Sequence, residues 1–222
     1  MTIISGLICV SVIVYVIWLS NMKKNIRVEI TNFLQEKRFQ DLSTYINQKT
    51  VKFVLKEEQY DLYDLLALFE LKKIEDFNDK LEVCKDKRYK EDGKLELMVY
   101  FYHTFLVKED KEYAVKLKNI LSNIEDEMRM MYHQQLFELT FDEDVNFIND
   151  MECKVEKEYY IKNDLAIVCY FLAVQHLKSG NVEIARIYRD SAQRYIYVES
   201  PYLDKIIALK KKIEDISKDA EV

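Results

Sequence analysis

The side chains that could do chemistry in this chain are few and lie far apart in the sequence. The 222 residues contain three histidines, which are His103, His133 and His176. No two of them have the spacing of a zinc-protease helix, so a metal or acid–base site would have to be assembled by the fold from distant residues. A single histidine on a helix face is more often a packing residue that is hydrogen bonded to its neighbours. We therefore expect no metal site, and a polar site around His103 or His133 is the alternative.

Other motifs of catalysis and ligand binding are also missing. The three glycines, Gly6, Gly93 and Gly180, are too far apart to form a phosphate-binding loop or a nucleotide fingerprint. The four cysteines contain no close pair, and we interpret them as reduced thiols. They are Cys9, Cys84, Cys153 and Cys169. We therefore expect no catalytic residue, no cofactor and no enzymatic activity.

One acidic run resembles the start of a calcium-binding loop. It begins at Asp142 and continues through Asp144 and Asn146. Phe147 occupies the position where such a loop requires glycine, and Cys153 occupies the position of the closing glutamate. The run is therefore interpreted as the N-terminus of a helix, where acidic side chains are stabilising.

Bulk composition predicts the fold class and excludes one class of partner. The chain has 33 basic and 39 acidic residues, for a net charge of −6. Nucleic acid is not an expected partner, because affinity for its backbone depends on clustered Lys and Arg. Three glycines and one proline are too few for the tight turns of a sheet or barrel. Apolar residues recur instead at three- and four-residue spacing, which predicts an all-α fold. Frequent Lys, Asn, Ile and Tyr indicate an AT-rich genome, and we expect a bacterial origin.

The predicted helices form antiparallel pairs that recur along the chain. The inner helices begin at apolar couples that start at Phe39, Ile74, Val145 and Val182. These starts are 35, 71 and 37 residues apart, which is a mean period of about 36 residues. Such a period predicts a stack of about five helix pairs, each of which buries its apolar face against its neighbours. Pro201 opens a last helix, which we expect to cap the stack. A non-repetitive bundle of similar hairpins is the alternative.

One of these pairs carries a family resemblance. From Leu172 the chain reads LAVQHLKSGNVEIARIYRDSAQRY, and this segment resembles the tetratricopeptide repeat (TPR). The matching residues are Leu172 and Ala173 on the first helix, Gly180 at the turn, and Ala185, Tyr188 and Ala192 on the second helix. The segment departs from the family at His176, where a tyrosine is usual, and Tyr188 comes one place early.

The resemblance implies an α-solenoid with a concave groove that binds a peptide or a helix of a protein partner. The family's ligand-binding basic and asparagine residues require aligned neighbouring repeats, so none is carried over to this chain. Most of the sixteen tyrosines have the spacing of helix-packing residues. Tyr195 and Tyr197, near the end of the matching pair, are the candidates for partner binding.

The N-terminal segment is a predicted membrane span. Residues 1–20 contain no acidic or basic side chain, and Trp18 lies at the depth that aromatic rings prefer. A hydrocarbon core of about 30 Å requires about 20 helical residues, which residues 2–22 supply. We therefore predict a membrane anchor at residues 1–22, with a buried or interfacial helix as the alternative. The predicted membrane-spanning residues are Ile3, Ile4, Leu7, Ile8, Val10, Val12, Ile13, Val14, Val16, Ile17, Trp18 and Leu19.

Basic residues after this segment set its predicted orientation. Lys23, Lys24 and Arg27 follow the apolar run, and no basic side chain precedes it. By the positive-inside rule the short N-terminus lies outside the cell membrane, and the helical domain, residues 23–222, lies in the cytoplasm. The sequence thus predicts a single-pass membrane-anchored TPR-like scaffold that binds a protein or peptide at the membrane surface.

Overall fold

The chain is helical throughout the part of it that the structure describes. A computed structural model describes the backbone of residues 2–89, 93–142 and 144–219, and the side chains of residues 12–89, 93–142 and 144–216. These ranges contain twelve α-helices and no β-strand, which confirms the all-α prediction. The helices are α1 (Thr2–Gln35), α2 (Phe39–Ile46), α3 (Lys49–Val54), α4 (Glu57–Glu70), α5 (Ile74–Asp86), α6 (Gly93–Val107), α7 (Lys111–Leu121), α8 (Glu127–Phe141), α9 (Ile148–Glu156), α10 (Lys162–Lys178), α11 (Val182–Tyr195) and α12 (Leu203–Asp219).

Helix α1 contains residues 2–22 of the predicted anchor, and Met1 lies outside the described residues. No helix within the described residues has an apolar stretch long enough to cross a membrane. The side chains of residues 1–11 lie outside the described part, and with them five residues of the predicted span. Those five are Ile3, Ile4, Leu7, Ile8 and Val10. The membrane anchor therefore stays a prediction.

Several consecutive helices are joined by the same kind of turn. In each of these turns the second residue after the first helix adopts the left-handed conformation. At Glu109, whose φ is 58°, the N–H bonds to the carbonyl of Leu106 (3.1 Å), and the next N–H bonds to the carbonyl of Phe105 (3.0 Å). This is the Schellman arrangement, which satisfies the last carbonyls of a helix. It recurs at Lys37, Lys72, Glu109, Glu158 and Gly180.

Four of these turns share the period found in the sequence. The turns at residues 37, 72, 109 and 180 are 35, 37 and 71 residues apart. The backbone is therefore consistent with a helical-repeat fold in which one hairpin turn recurs about every 36 residues.

Three of the four predicted inner-helix starts are confirmed, because α2, α5 and α11 begin at Phe39, Ile74 and Val182. The start predicted at Val145 is wrong, because α9 begins at Ile148. The Asn146 Oδ1 atom accepts the N–H of Ile148 at 2.9 Å. Such local side-chain bonds compete with helical backbone bonds, so they hold this segment in a turn. The gap of 71 residues in the sequence pattern is filled by α7, which begins at Lys111.

The chain divides into two compact units, Met1–Leu97 and Met98–Val222. In the N-terminal unit α2 packs on α1 and α4, and α5 packs on α4. The core of this unit is formed by buried side chains of α1 to α4. They are Ile26, Ile30, Leu42, Ile46, Val51 and Ala67.

In the C-terminal unit each helix packs on a neighbour in sequence. Helix α7 packs on α8, α9 on α10, α10 on α11, and α11 on α12. Ala173 of α10 and Ala185 of α11 share a core cluster with Leu209 and Ile213 of α12. Helices α10 and α12 also form the walls and floor of a groove.

Candidate functional site

A groove between α10 and α12 is the candidate binding site of the C-terminal unit. It has a volume of about 370 Å³ and is open to solvent. We call it the C-terminal groove. Its lining residues are Tyr170, Val174, Leu177, Lys178, Lys205, Ala208, Leu209, Lys212 and Ile216.

The floor of the C-terminal groove follows from the periodicity of its two helices. Tyr170, Val174 and Leu177 are half-buried, and they share one face of α10 because they lie four and three residues apart. On α12 the buried Leu209 faces the core, and the exposed Ala208 lies beside it. The small side chain of Ala208 leaves the space between the two helices open. An apolar floor about two helical turns long is thereby exposed.

The rim of the C-terminal groove is basic. Lys178 and Lys212 are exposed, and neither forms an ion pair with another described residue. Lys205 lies 2.8 Å from the Glu109 carboxylate. None of the lining residues is acidic. Burial raises the pKa of Tyr170 to about 12, so its hydroxyl stays a neutral donor at physiological pH. An apolar surface that carries carboxylates complements this groove.

The TPR-like residues lie in the core beside the groove and do not line it. Leu172, Ala173, Ala185 and Ala192 are fully buried. The alanines allow α10 and α11 to approach closely, as their small size predicts. Gly180 ends α10 with a φ of 79°, a conformation that glycine adopts without strain.

The two departures from the TPR pattern compensate each other. The rings of His176 and Tyr188 stack with centroids 5.5 Å apart and planes 9° from parallel. The Tyr188 hydroxyl donates to Glu152 Oε1 at 3.0 Å, and His176 Nε2 lies 3.0 Å from the same oxygen. Because one carboxylate serves both rings, we interpret this trio as a structural clasp between α9, α10 and α11.

The tyrosines predicted to bind a partner lie away from the C-terminal groove. Tyr195 and Tyr197 are 41% and 48% exposed, and neither lines the groove. The Tyr197 N–H donates to Asn163 Oδ1 at 3.4 Å, which fixes the chain after α11. Partner binding through these two tyrosines stays a prediction.

A second polar site is buried in the C-terminal unit. His103 of α6 and His133 of α8, thirty positions apart in sequence, have ring centroids 5.6 Å apart. His133 Nε2 lies 2.7 Å from Glu125 Oε2, and both side chains are 1% exposed. Tyr202 lies against His103 with centroids 5.6 Å apart, and Tyr132 lies 6.3 Å from it. We call these five residues the buried histidine cluster.

The buried histidine cluster has unused hydrogen-bonding capacity. Both ring nitrogens of His103, and the hydroxyls of Tyr132 and Tyr202, have no hydrogen-bond partner within the described residues. Burial lowers the pKa of His103 well below its usual value, and the nearby His133 and Arg129 lower it further. His103 is therefore neutral at physiological pH, held mainly by aromatic packing.

In contrast to the buried histidine cluster, a buried carboxylate in the N-terminal unit is surrounded by hydrogen-bond donors. Asp61 is fully buried, and its oxygens lie 2.8 Å from Lys80 Nζ and 2.6 Å from Lys87 Nζ. The Tyr89 hydroxyl donates to Asp61 at 2.8 Å. Burial opposes ionisation of Asp61, but these hydrogen bonds outweigh it and lower the pKa of the carboxyl. We call these four residues the Asp61 cluster and interpret it as a tie between α4, α5 and the segment after α5.

Sequence reasoning missed the C-terminal groove. Its lysines lie at Lys178, Lys205 and Lys212, on helices from different hairpins. The available signal was the row Lys205, Ala208 and Lys212 along one face of α12, but its partner face on α10 required the packing. The histidine cluster was anticipated only as an alternative around His103 or His133.

Within the described residues no group of three or more His, Cys, Asp or Glu side chains could hold a metal ion. No protein-family model, curated protein or solved structure matches this chain. The function is therefore argued from the geometry of the chain itself.

Proposed function

We propose that this protein is a single-pass membrane-anchored TPR-like adaptor, and that its C-terminal groove binds an acidic amphipathic helix of a protein partner. The observation that carries the proposal is the groove between α10 and α12, with its apolar floor and three lysines at the rim. Helix binding in an apolar groove is a common mode of peptide recognition.

The dimensions of the groove favour a short helical partner. Tyr170 and Leu177 are seven positions apart on α10 with Val174 between them, which is about 10.5 Å along the helix axis. A partner helix of two to three turns would place apolar side chains at i, i+3 or i+4, and i+7 on this floor. Asp and Glu at its flanks would meet Lys178 and Lys212. Electrostatic attraction of this kind raises the association rate and fixes the orientation.

The exposure of α1 supports the anchor. Residues 12–18 are apolar, and each of them is at least half exposed. Seven consecutive residues cover every face of a helix, so no described part of the chain packs around this stretch. A helix that is apolar on all sides is typical of a membrane span or a buried core helix. With Lys23, Lys24 and Arg27 after it, we place the domain on the cytoplasmic side.

A second candidate function rests on the buried histidine cluster. There His133 meets Glu125, and both nitrogens of His103 lack a partner among the described residues. Such a group of buried polar side chains suits a ligand sensor or an enzyme with a site built from distant residues. We place it second because the side chains of this cluster are almost fully buried, whereas the C-terminal groove is open to solvent.

The test uses the full-length protein in phospholipid nanodiscs and a displayed library of helical peptides. We expect the selected peptides to be acidic, with apolar residues at i, i+3 or i+4, and i+7. Ala208→Glu fills the groove with a charge and should weaken their binding at least tenfold. Ile207→Glu, on the exposed neighbouring position, is the matched control and should bind as the wild type does.

Two outcomes would contradict the proposal. If the selected peptides were not enriched in acidic residues, the proposed attraction between the partner and the lysine rim would be wrong. Equal binding to the Ala208→Glu and Ile207→Glu variants would place the contact outside the groove. Selection of a small polar ligand that is lost on His133→Phe would favour the second candidate function.

A further inference from the structure

A second cleft lies in the N-terminal unit, where α1 passes the end of α3 and the start of α4. Its volume is about 420 Å³. The floor is apolar, and Ile26 and Ile30 at its base are buried. We call it the N-terminal cleft. Its lining residues are Lys23, Lys24, Ile26, Arg27, Ile30, Val54, Leu55, Lys56, Gln59 and Tyr63.

The N-terminal cleft is strongly basic. Four of its ten lining residues are Lys or Arg, and none is acidic. Lys23, Lys24 and Arg27 are exposed, and none of them is ion paired to a described residue. Lys56 Nζ lies 3.7 Å from Glu58 Oε1, so its charge is partly compensated. Arg27 lies on α1 and Lys56 directly precedes α4, and both side chains line the cleft. Two cations on opposite sides of the cleft could bind two oxygens of one phosphate group.

The position of the N-terminal cleft selects the kind of phosphate. Lys23 follows Trp18 by five residues, which is about 7.5 Å along α1. If residues 3–19 span the bilayer, the cleft opens at the depth of the lipid headgroups. Its apolar floor, formed by Ile26, Val54 and Leu55, would contact the glycerol and the first methylenes of a lipid. A small free anion such as inorganic phosphate would leave this floor uncovered.

We propose that the N-terminal cleft binds the phosphate-bearing headgroup of an anionic phospholipid, with Arg27 and Lys56 on the phosphate. This inference rests on the proposed membrane anchor. It assigns to Lys56 a role in lipid binding. The sequence does not indicate this role, because Lys56 lies far from the anchor along the chain. Bound lipid would join α1 to α4 and fix the N-terminal unit at the membrane surface.

The experiment is native mass spectrometry of the full-length protein released from nanodiscs that contain equimolar phosphatidylglycerol and phosphatidylcholine. We expect phosphatidylglycerol to be enriched on the wild type. The double variant Arg27→Gln, Lys56→Gln should lower this enrichment at least tenfold, because each cation contributes roughly fivefold near an anionic surface. Lys23 and Lys24 stay in place, so the orientation of the anchor is preserved.

The matched control is Lys49→Gln with Lys73→Gln, which removes the same charge from exposed positions outside the cleft. This variant should keep the enrichment. Equal enrichment in both double variants would contradict lipid binding in the cleft, and so would a wild type that enters nanodiscs without enrichment. Neither result would contradict the membrane anchor. Loss of enrichment on addition of millimolar inorganic phosphate would assign the cleft to a free anion and overturn the lipid. Failure of the wild type to enter nanodiscs would overturn both the anchor and the cleft.

Discussion

The two grooves of this protein have similar size and similar ingredients but differ in how charge is arranged. The N-terminal cleft has three of its four cations within residues 23–27 of α1, about one turn after the exposed apolar residues 12–18. The C-terminal groove has its lysines spread over both walls, beside a row of apolar side chains. A compact cluster of cations suits a single phosphate, and a spread row suits an extended acidic helix. Under the two proposals, the pattern of charge, more than its amount, distinguishes a groove for a lipid headgroup from a groove for a protein partner.

The interiors of the two units differ in a parallel way. The Asp61 cluster satisfies a buried charge from several sides, whereas the buried histidine cluster leaves neutral polar atoms unpaired. The Asp61 cluster holds neighbouring elements together through charged hydrogen bonds. The buried histidine cluster is held mainly by aromatic packing around His103. Variants that act on one unit and spare the other therefore test whether the two regions have separate roles.

The largest effect is expected from charges in the apolar part of α1. Ile13→Asp with Ile17→Asp should move the full-length protein from the membrane fraction to the supernatant. An Asp near the centre of a spanning helix costs about 3 kcal/mol, so Ile13→Asp supplies most of the effect and Ile17→Asp, beside the interfacial Trp18, adds less. Membrane flotation measures the distribution.

The control for the anchor replaces two exposed isoleucines of α11. Ile184 and Ile187 are 41% and 64% exposed, and their change to Asp should leave the protein in the membrane fraction. If the α1 variant also stays with the membrane, α1 is not the anchor.

The next largest effect is expected at the Asp61 cluster. After Asp61→Asn, Lys80 keeps its ion pair with Asp64 and Lys87 keeps its ion pair with Glu57. We therefore expect the free energy of unfolding to fall by about 3 kcal/mol, the lower end of the range for a broken buried ion pair. Hydrogen exchange should increase in α4 and α5 and stay unchanged in α10 to α12. Asp64→Asn, which removes only one partner of Lys80, is the control and should cost less than about 1 kcal/mol. Faster exchange in the C-terminal unit would show that the two units do not unfold separately.

The sequence predicted the elements better than the sites. Helix class, the period of about 36 residues and the core alanines follow from local patterns, because helical spacing is a property of neighbouring residues. The start of α9 could not be predicted, because it depends on Asn146 bonding to the backbone of Ile148. Both grooves escaped prediction for another reason: Lys56 lies far from Arg27 in sequence, as Lys212 does from Lys178, and only packing brings such pairs together.

A smaller effect is expected from acid on the buried histidine cluster. The pKa of His103 is lowered in the folded state, so the stability from neutral His103 is present above the unfolded pKa of about 6.5 and is lost as pH falls below it. The loss is at most about 1.4 kcal/mol for each pH unit below the unfolded pKa. His103→Phe should remove this part of the acid sensitivity. Urea unfolding at pH 8 and pH 5 measures it, and an unchanged pH dependence would contradict the assignment.

The smallest effect is expected at a type of turn that occurs in both units. Lys72 adopts the left-handed conformation that Gly180 adopts in the C-terminal unit. Lys72→Gly should stabilise the N-terminal unit by about 0.5 kcal/mol, because relief of strain exceeds the added entropy of the unfolded chain. Thermal unfolding checks the sign. A loss of stability would mean that the lysine side chain contributes more than its backbone strain costs.

The most direct test of partner binding is a charge swap across the C-terminal groove. A selected acidic helical peptide is titrated against the full-length protein and against the Lys178→Glu, Lys212→Glu variant, and the same is done with a peptide whose acidic residues are changed to Lys. We expect the variant to lose at least tenfold in affinity for the acidic peptide and to recover it for the basic one. Weak binding of both peptides to the variant, or unchanged binding of the acidic peptide, would contradict the account.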